Sequence, residues 1–232
     1  MIEIVPGIYQ LKIPIPNNPL GHTNVYLVRG SEGHFLIDAG VNTEEALDSL
    51  RKQLAEIGVS LNDISQVIST HVHPDHYGLA SRLRELGGAK IALHYREKEL
   101  IYTYEIDMRE LRRLTEEWLH TNGAPPNMLP PVLAVRRLGP APQPDIVLRG
   151  GEIFTSGAFT LKVLWTPGHS PGHACLYEPN HKILFAGDHI LPVITPNISL
   201  PPQSEANPLG DFLNSLNMVK DLDCKLVLPA HE

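Results

Sequence analysis

Apolar positions first run together, then alternate with turns, and only later repeat at helical spacing. Ile8 to Ile15, Asn24 to Val28 and His34 to Ile37 are rich in β-branched and aliphatic residues, and short Gly, Asn and Pro stretches part them. That pattern predicts consecutive strands of one sheet. Over residues 43–57 the period changes: Leu47, Leu50, Leu54 and Ile57 share one face of a helix, with Asn42 and Glu45 as the expected capping box and Gly58 as its stop. Gln66 to Thr70 predicts a short strand, 77–86 a helix halted by Gly87-Gly88, and Ala89 to Leu93 another strand. Residues 95–122 are charged and helical, with Leu100, Tyr104, Met108, Leu111 and Trp118 spaced for one apolar face. The stretch 124–145 carries Pro125, Pro126, Pro130, Pro131, Pro140, Pro142 and Pro144. Proline cannot donate to a strand ladder, so this is a semi-rigid surface loop. Strands return at Thr160 to Trp165, Ala174 to Tyr177 and Lys182 to Ala186. A second proline-rich loop over 192–208, a helix over 209–221 and a last strand at Lys225 to Leu228 complete the chain. Strands followed by strand–helix units, twice over, predict an α/β protein of two similar halves packed face to face.

Composition narrows this picture. A length of 232 residues suits one large domain or two small ones, and 42% hydrophobic with 19% charged residues is a globular balance. No apolar run approaches the roughly 18 to 20 residues needed to span a bilayer, so no membrane association is expected. Met1 to Ile4 lacks the basic and apolar regions of a secretion signal. Cys175 and Cys224 both sit in apolar stretches and are expected to be buried free thiols, which fits a cytoplasmic setting. A formal net charge of -7 argues against a nucleic-acid partner, since phosphate binding rests on clustered Lys and Arg. The 12 histidines matter more, because imidazole is the commonest metal ligand.

The chemistry is concentrated in His71-Val72-His73-Pro74-Asp75-His76. His71 and His73 are two apart on an extended segment, so their rings can point the same way. Asp75 and His76 follow where a helix should begin, and that turn can aim a second pair of donors a few ångströms away. Imidazoles and a carboxylate crowded this closely suit Zn, Fe or Mn. Three more metal-capable side chains stand just past apolar strands: His169 after Trp165-Thr166-Pro167-Gly168, Asp188 after Ile183 to Gly187, and His231 after Lys225 to Ala230. Loops at strand ends are where α/β scaffolds build sites. His173 and His189 flank these motifs and read as outer partners or core residues. His22, His34, His94, His120 and His181 read as surface or loop residues.

The string T-H-x-H-x-D-H at 70–76, T-P-G-H at 166–169, G-D at 187–188 and P-A-H at 229–231 resembles the metallo-β-lactamase superfamily. Thr23 to Val28 and Leu36-Ile37-Asp38-Ala39-Gly40 resemble its opening strands, and the resemblance runs from about residue 8 to the end. It implies a single domain, an αββα sandwich with metals at one edge. By that resemblance His71, His73 and His169 would hold one metal, Asp75, His76 and His231 a second, and Asp188 would bridge both. Asp38 would be the outer carboxylate that orients a ligand histidine. Relatives usually continue past the last histidine with a helix. Here that helix is expected to be missing, and the His231 site to bind its metal more weakly because its terminus must be ordered. The 95–145 segment is expected to be an insertion that acts as a lid or as the interface of a homo-oligomer.

Asp188 stands where true metallo-β-lactamases carry a cysteine, and His73 where flavodiiron carriers carry a glutamate. The pattern is most similar to the glyoxalase II-like and lactonase-like branch. It implies a small-molecule substrate with an ester, thioester or lactone bond, cleaved by a hydroxide between two divalent transition-metal ions, most simply Zn, with Fe or Mn as alternatives. Asp75 and Asp188 would be the catalytic carboxylates. Two other readings stay open: a metal-dependent nuclease or phosphodiesterase, and a mononuclear-iron persulfide dioxygenase or sensor.

Overall fold

The computed structural model describes residues 1–105, 108–125, 141–200 and 207–232. The side chains of Tyr104, Met108 and Leu111, and residues 126–140 of the first proline-rich loop, lie outside the described residues. Among those described, β1 (Ile2–Val5), β2 (Ile8–Pro14), β3 (His22–Val28) and β4 (His34–Ile37) form an antiparallel run. Helix α1 (Glu44–Glu56) then leads to β5 (Ile64–Ile68), parallel to β4. Helices α2 (Pro74–Tyr77) and α3 (Ala80–Gly87) lead to β6 (Lys90–His94), parallel to β5. Helices α4 (Tyr95–Glu105) and α5 (Met108–Thr121) belong to the connection that returns to β7 (Ile146–Leu148), parallel to β6. Parallel neighbours need a crossover of a dozen or more residues, so 95–145 has to contain that crossover whatever further length it carries.

A second sheet holds β8 (Ile153–Ser156), β9 (Phe159–Trp165), β10 (Ala174–Glu178) and β11 (Ile183–Gly187), again an antiparallel run. Helix α6 (Pro208–Lys220) carries the chain over to β12 (Leu226–Pro229), parallel to β11 at the edge.

Period-two alternation decides which layer each side chain joins. In β3, Tyr26 and Val28 point into the space between the sheets, while Val25 and Leu27 point to the helices outside. Between the sheets, Ile8, Phe35, Ile37 and Ile68 meet Leu161, Val163, Leu176 and Phe185. Outside the first sheet, Leu47, Leu50 and Leu54 of α1 and Leu83 of α3 pack on Leu27, Leu36 and Val67. Outside the second, Val219 of α6 covers Cys175 and Leu184. The layers are therefore α, β, β, α. Both faces of the central strands are buried, which is why they read in the sequence as near-continuous apolar runs.

Several local expectations change. Thr43, not Asn42, caps α1: its extended backbone (φ -131°) precedes the helix and its Oγ1 accepts from Ala46 N at 3.1 Å. The helix expected over 77–86 is two pieces, because Pro74 starts a first turn early and Gly78-Leu79 part it from α3. Strands β1, β7 and β8 are additions to the expected set; at three or four residues each they are too short to show a period. Both cysteines are free, but only Cys175 is buried; Cys224 is half-exposed just before β12. His94 is fully buried rather than superficial, because it stacks on Trp165 with ring centroids 5.2 Å apart.

Replacing Leu50, which has no exposed surface, by Ala should cost about 2 to 5 kcal/mol by cavity formation. Urea unfolding measures it, and a loss well under 1 kcal/mol would mean that α1 does not close this layer.

Candidate metal centre

The site forms where chain leaves the ends of both sheets. From β5 the backbone passes through Ser69 and Thr70 into His71 and His73, and α2 then presents Asp75 and His76. His169 follows β9, Asp188 follows β11 and His231 follows β12. These strand-end side chains gather into two groups: His71, His73, His169 and Asp188 in one, Asp75, His76 and His231 in the other. Within each group the donor atoms lie within 4.8 Å of one another.

In the first group three ring nitrogens converge. His71 Nε2 is 2.8 Å from His73 Nδ1, and His169 Nε2 is 3.2 and 3.0 Å from those two atoms. In the second, His231 Nε2 lies 3.3 Å and His76 Nε2 3.7 Å from Asp75 Oδ2. Asp188 faces both groups with different oxygens. Its Oδ2 is 3.3 Å from His169 Nε2, and its Oδ1 is 3.4 Å from the Nε2 atoms of both His76 and His231.

What stands behind the rings fixes their tautomers. His76 Nδ1 lies 2.8 Å from Asp38 Oδ2, His169 Nδ1 2.9 Å from the Asn197 carbonyl, and His231 Nδ1 3.2 Å from the His22 carbonyl. Those oxygens can only accept, so each Nδ1 carries a hydrogen, and in the neutral ring each Nε2 has its lone pair for the site. His71 follows the same logic: the Thr70 hydroxyl donates to Asp38 and therefore accepts from His71 Nδ1, 3.0 Å away. Asp38 also accepts from Thr70 N at 2.8 Å. It does so from a left-handed backbone conformation (φ 61°), which is uncommon for a residue with a side chain.

His173 is wholly buried and touches the site through the backbone. The Asp188 amide donates to its Nε2 at 3.1 Å, so its Nδ1 donates to Thr166 Oγ1 at 2.8 Å. His189 is buried against Phe212, 5.1 Å between ring centroids, and is 6.1 Å from the His173 ring. The tight turn before His169 needs glycine: Gly168 has φ +141°, and a Cβ there would lie 2.5 Å from Phe212 Cβ.

The electrostatics differ between the groups. Burial and the neighbouring rings push His71 far down and His73 to about 4. Burial also disfavours charge on His76, but the carboxylates of Asp188, Asp75 and Asp38 outweigh it and raise that ring well above its ordinary value. The converse holds for the acids. Burial works against ionised Asp75, yet His76 and His231 beside it hold it at about 2, and Asp188 is held below the usual range by the same rings and His169.

This donor set fits divalent cations. His76 Nε2 and Asp188 Oδ1 are buried with no hydrogen-bond partner among the described residues. One hydrogen cannot satisfy the three converging nitrogens of His71, His73 and His169 together, whereas a cation among them could.

Two expectations about the surroundings also change. His231 does not dangle: it is 2% exposed, because β3 reaches across the strand end. Asn24 N donates to Ala230 O at 2.8 Å, and Asn24 Nδ2 and Tyr26 Oη both donate to Pro229 O. The amphipathic stripe of α4 begins as core, with Ile101 and Leu100 packed on Val72, Tyr77, Ile91 and Leu93, so a free lid could start only beyond them.

Sequence reasoning missed Glu97. It is fully buried on α4 and accepts from Val72 N at 2.9 Å, Ser170 Oγ at 2.5 Å and Gly172 N at 2.6 Å. The available signal was a carboxylate at the head of the apolar stripe, four residues before Ile101.

An αββα sandwich that gathers imidazoles and carboxylates at the ends of both sheets defines a class of metallo-hydrolase. The chain belongs to the metallo-beta-lactamase superfamily, whose family model matches residues 18–231. It is 29% identical over 234 residues to the probable metallo-hydrolase YqjP of Bacillus subtilis, covering 95% of this chain and 70% of that protein. It is 31% identical over 174 residues to the acyl-coenzyme A thioesterase MBLAC2 of Homo sapiens, covering 71% of this chain and 57% of the thioesterase. The crystal structure of the metallo-beta-lactamase family protein TTHA1429 from Thermus thermophilus superposes with a TM-score of 0.83 at 35% identity, over 99% of this chain and 75% of that one.

Replacing Asp38 by Asn would set an amide N–H against His76 Nδ1–H and favour the tautomer whose Nε2 carries the hydrogen. Cation affinity should then fall by about 10 to 100-fold. Titration of the cation-free protein with Zn reads this directly. An unchanged affinity would show that Asp38 does not set the ring.

Proposed function

We propose that this protein is a dinuclear metallo-hydrolase that cleaves an acyl thioester, or the related ester or lactone, of a small molecule. The observation that carries the reading is Asp188, whose two oxygens face two separate donor groups. In the reading, His71, His73 and His169 would hold one cation and Asp75, His76 and His231 the other, with Asp188 available to both. Bound cations would supply Lewis acidity toward a carbonyl oxygen and would lower the pKa of water.

The chain's own residues do the rest. Asp188 fixes the spacing of the two donor groups, and His173 fixes Asp188 through its amide. Asp75, 3.3 Å from His231 Nε2, would lend charge and position to the second donor group. Asp38 keeps the His76 lone pair turned inward. No serine or cysteine nucleophile is required, and buried Cys175, its thiol pushed up to about 12 by burial, is inert. Among the acyl substrates a thioester comes first because a thioesterase is among the relatives at 31% identity. A nuclease reading has the net charge of -7 against it.

Elemental analysis of gently purified protein should find more than one transition-metal ion per chain. Acyl-CoA thioesters, p-nitrophenyl esters, lactones and bis-p-nitrophenyl phosphate should then be compared as substrates. Thioester or ester turnover should be lost on chelation and return with Zn or Mn. A single iron that resists exchange, with no acyl hydrolysis, would move the assignment to the iron-dependent alternative. Preference for the phosphodiester would move it to the nuclease.

Asp188→Ala should abolish turnover and weaken both cations, whereas His173→Ala should cost about 10 to 100-fold, as an outer partner does. If His173→Ala loses cations as completely as Asp188→Ala does, the ligand assignment is wrong.

A further inference from the structure

Glu97 has surroundings that the proposed chemistry does not use. It is a carboxylate with no exposed surface, and its partners are the Val72 amide, the Gly172 amide and the Ser170 hydroxyl. Val72 lies between His71 and His73, and Ser170 follows His169. One side chain from α4 thus grips the loop leaving the first sheet with one oxygen and the loop leaving the second sheet with the other. The grip is close-fitting: a Cβ on Gly172 would lie 2.7 Å from Glu97 Cγ and 2.8 Å from His94 Nδ1, so the loop can seat against α4 only as glycine. Burial raises this carboxyl above its ordinary range, and the neutral form also fits, since it can donate to Ser170 Oγ while both amides still donate to Glu97.

We infer that Glu97 is a positioning residue that fixes the His71–His73 loop and the His169 loop relative to each other, and so sets the geometry of the first donor group. This rests on the reading of that group as a cation site. Glu97 touches no ligand ring; it acts through backbone amides on either side of the seam between the sheets. Among the described residues its hydrogen bonds do not reach Asp75, His76 or His231. Its removal should therefore weaken the first donor group more than the second, which shares the loop after β5 and is tied to it where His76 N donates to His73 O at 3.0 Å.

Two measurements separate the inference from the cation reading. The first needs no metal. In the cation-free protein, amide hydrogen exchange at Val72 and Gly172 should speed up by about tenfold or more in Glu97→Ala, while amides in β3 and β10 stay within about threefold. Glu97→Gln, closer in shape, keeps one accepting oxygen, so it should release one of the two loops more than the other. Unchanged exchange at both amides in both variants would overturn the inference whatever the site binds.

The second measurement is a titration with Co(II), read by its visible absorption. In Glu97→Ala one binding step should weaken by about 10 to 100-fold with a changed spectrum, and the other should weaken clearly less. Leu50→Ala, a substitution in the core layer under α1, serves as the control for lost stability. Equal weakening of both steps, matched by Leu50→Ala at similar melting temperature, would reduce Glu97 to a stability role and overturn the inference. Should wild-type protein bind no Co(II), the cation reading fails, and the exchange data still decide whether Glu97 holds the two loops.

Discussion

Three ring nitrogens that face one another at about 3 Å compete for one hydrogen, and largely buried carboxylates stand beside them. Such a cluster needs each ring held in one orientation. The protein answers by holding most of the rings from behind. Asp38, Thr70, Asn197 and His22 each take the hydrogen of a ring's far nitrogen, which leaves the near nitrogen no choice of direction. Each such bond contributes on the order of 1 kcal/mol net, and its larger effect is to remove the alternative tautomer. His73 is the exception, since it turns Nδ1 rather than Nε2 to the site.

The fold makes this restraint possible by ending both sheets at one edge. Four donors follow β5, and the others follow β9, β11 and β12. A site of that construction needs its two halves locked, or its distances drift with every small slide of sheet on sheet. Three devices supply the lock. The apolar layer around Phe185 and Ile37 sets the spacing, Asn24 and Tyr26 of β3 hold the end of β12, and Glu97 joins the two loops from the side. The first is non-directional. The other two are directional hydrogen bonds, better suited to fixing angles.

How much of this could be read from the chain follows from sequence distance. The string His71 to His76 is contiguous, so its chemistry is visible at once, and the remaining donors each announce themselves by an apolar strand that precedes them. The layer order follows from strands that are apolar on both faces. Glu97 offers only its place at the head of an apolar stripe, because its partners are 25, 73 and 75 residues away and no local pattern encodes a contact to a backbone amide. His94 escapes for a similar reason, its burial being set by Trp165 on the other sheet. Asn42 and Thr43 are both good caps, and only the backbone turn at Thr43 decides between them. The anchoring of His231 depends on β3, some two hundred residues earlier, so the order of that chain end cannot be judged from its neighbours in sequence.

Because the donors come from both sheets, cation binding and folding are one equilibrium in this reading. The first group draws on loops after β5, β9 and β11, and the second on loops after β5 and β12, with Asp188 common to both. An unfolded chain separates these residues and binds cations poorly. The folded state therefore gains RT ln(1 + [L]/Kd) per site, about 2.7 kcal/mol at a free cation concentration one hundred times Kd. That is a large share of the roughly 5 to 15 kcal/mol typical of a domain, comparable to what one well-packed core leucine contributes. The same cross-sheet construction that exposes the site to sliding makes each bound cation a clamp across the seam. Outer contacts such as those of Asp38 and Glu97 then matter twice, since they hold the loops before a cation arrives and lower the ordering cost when it does.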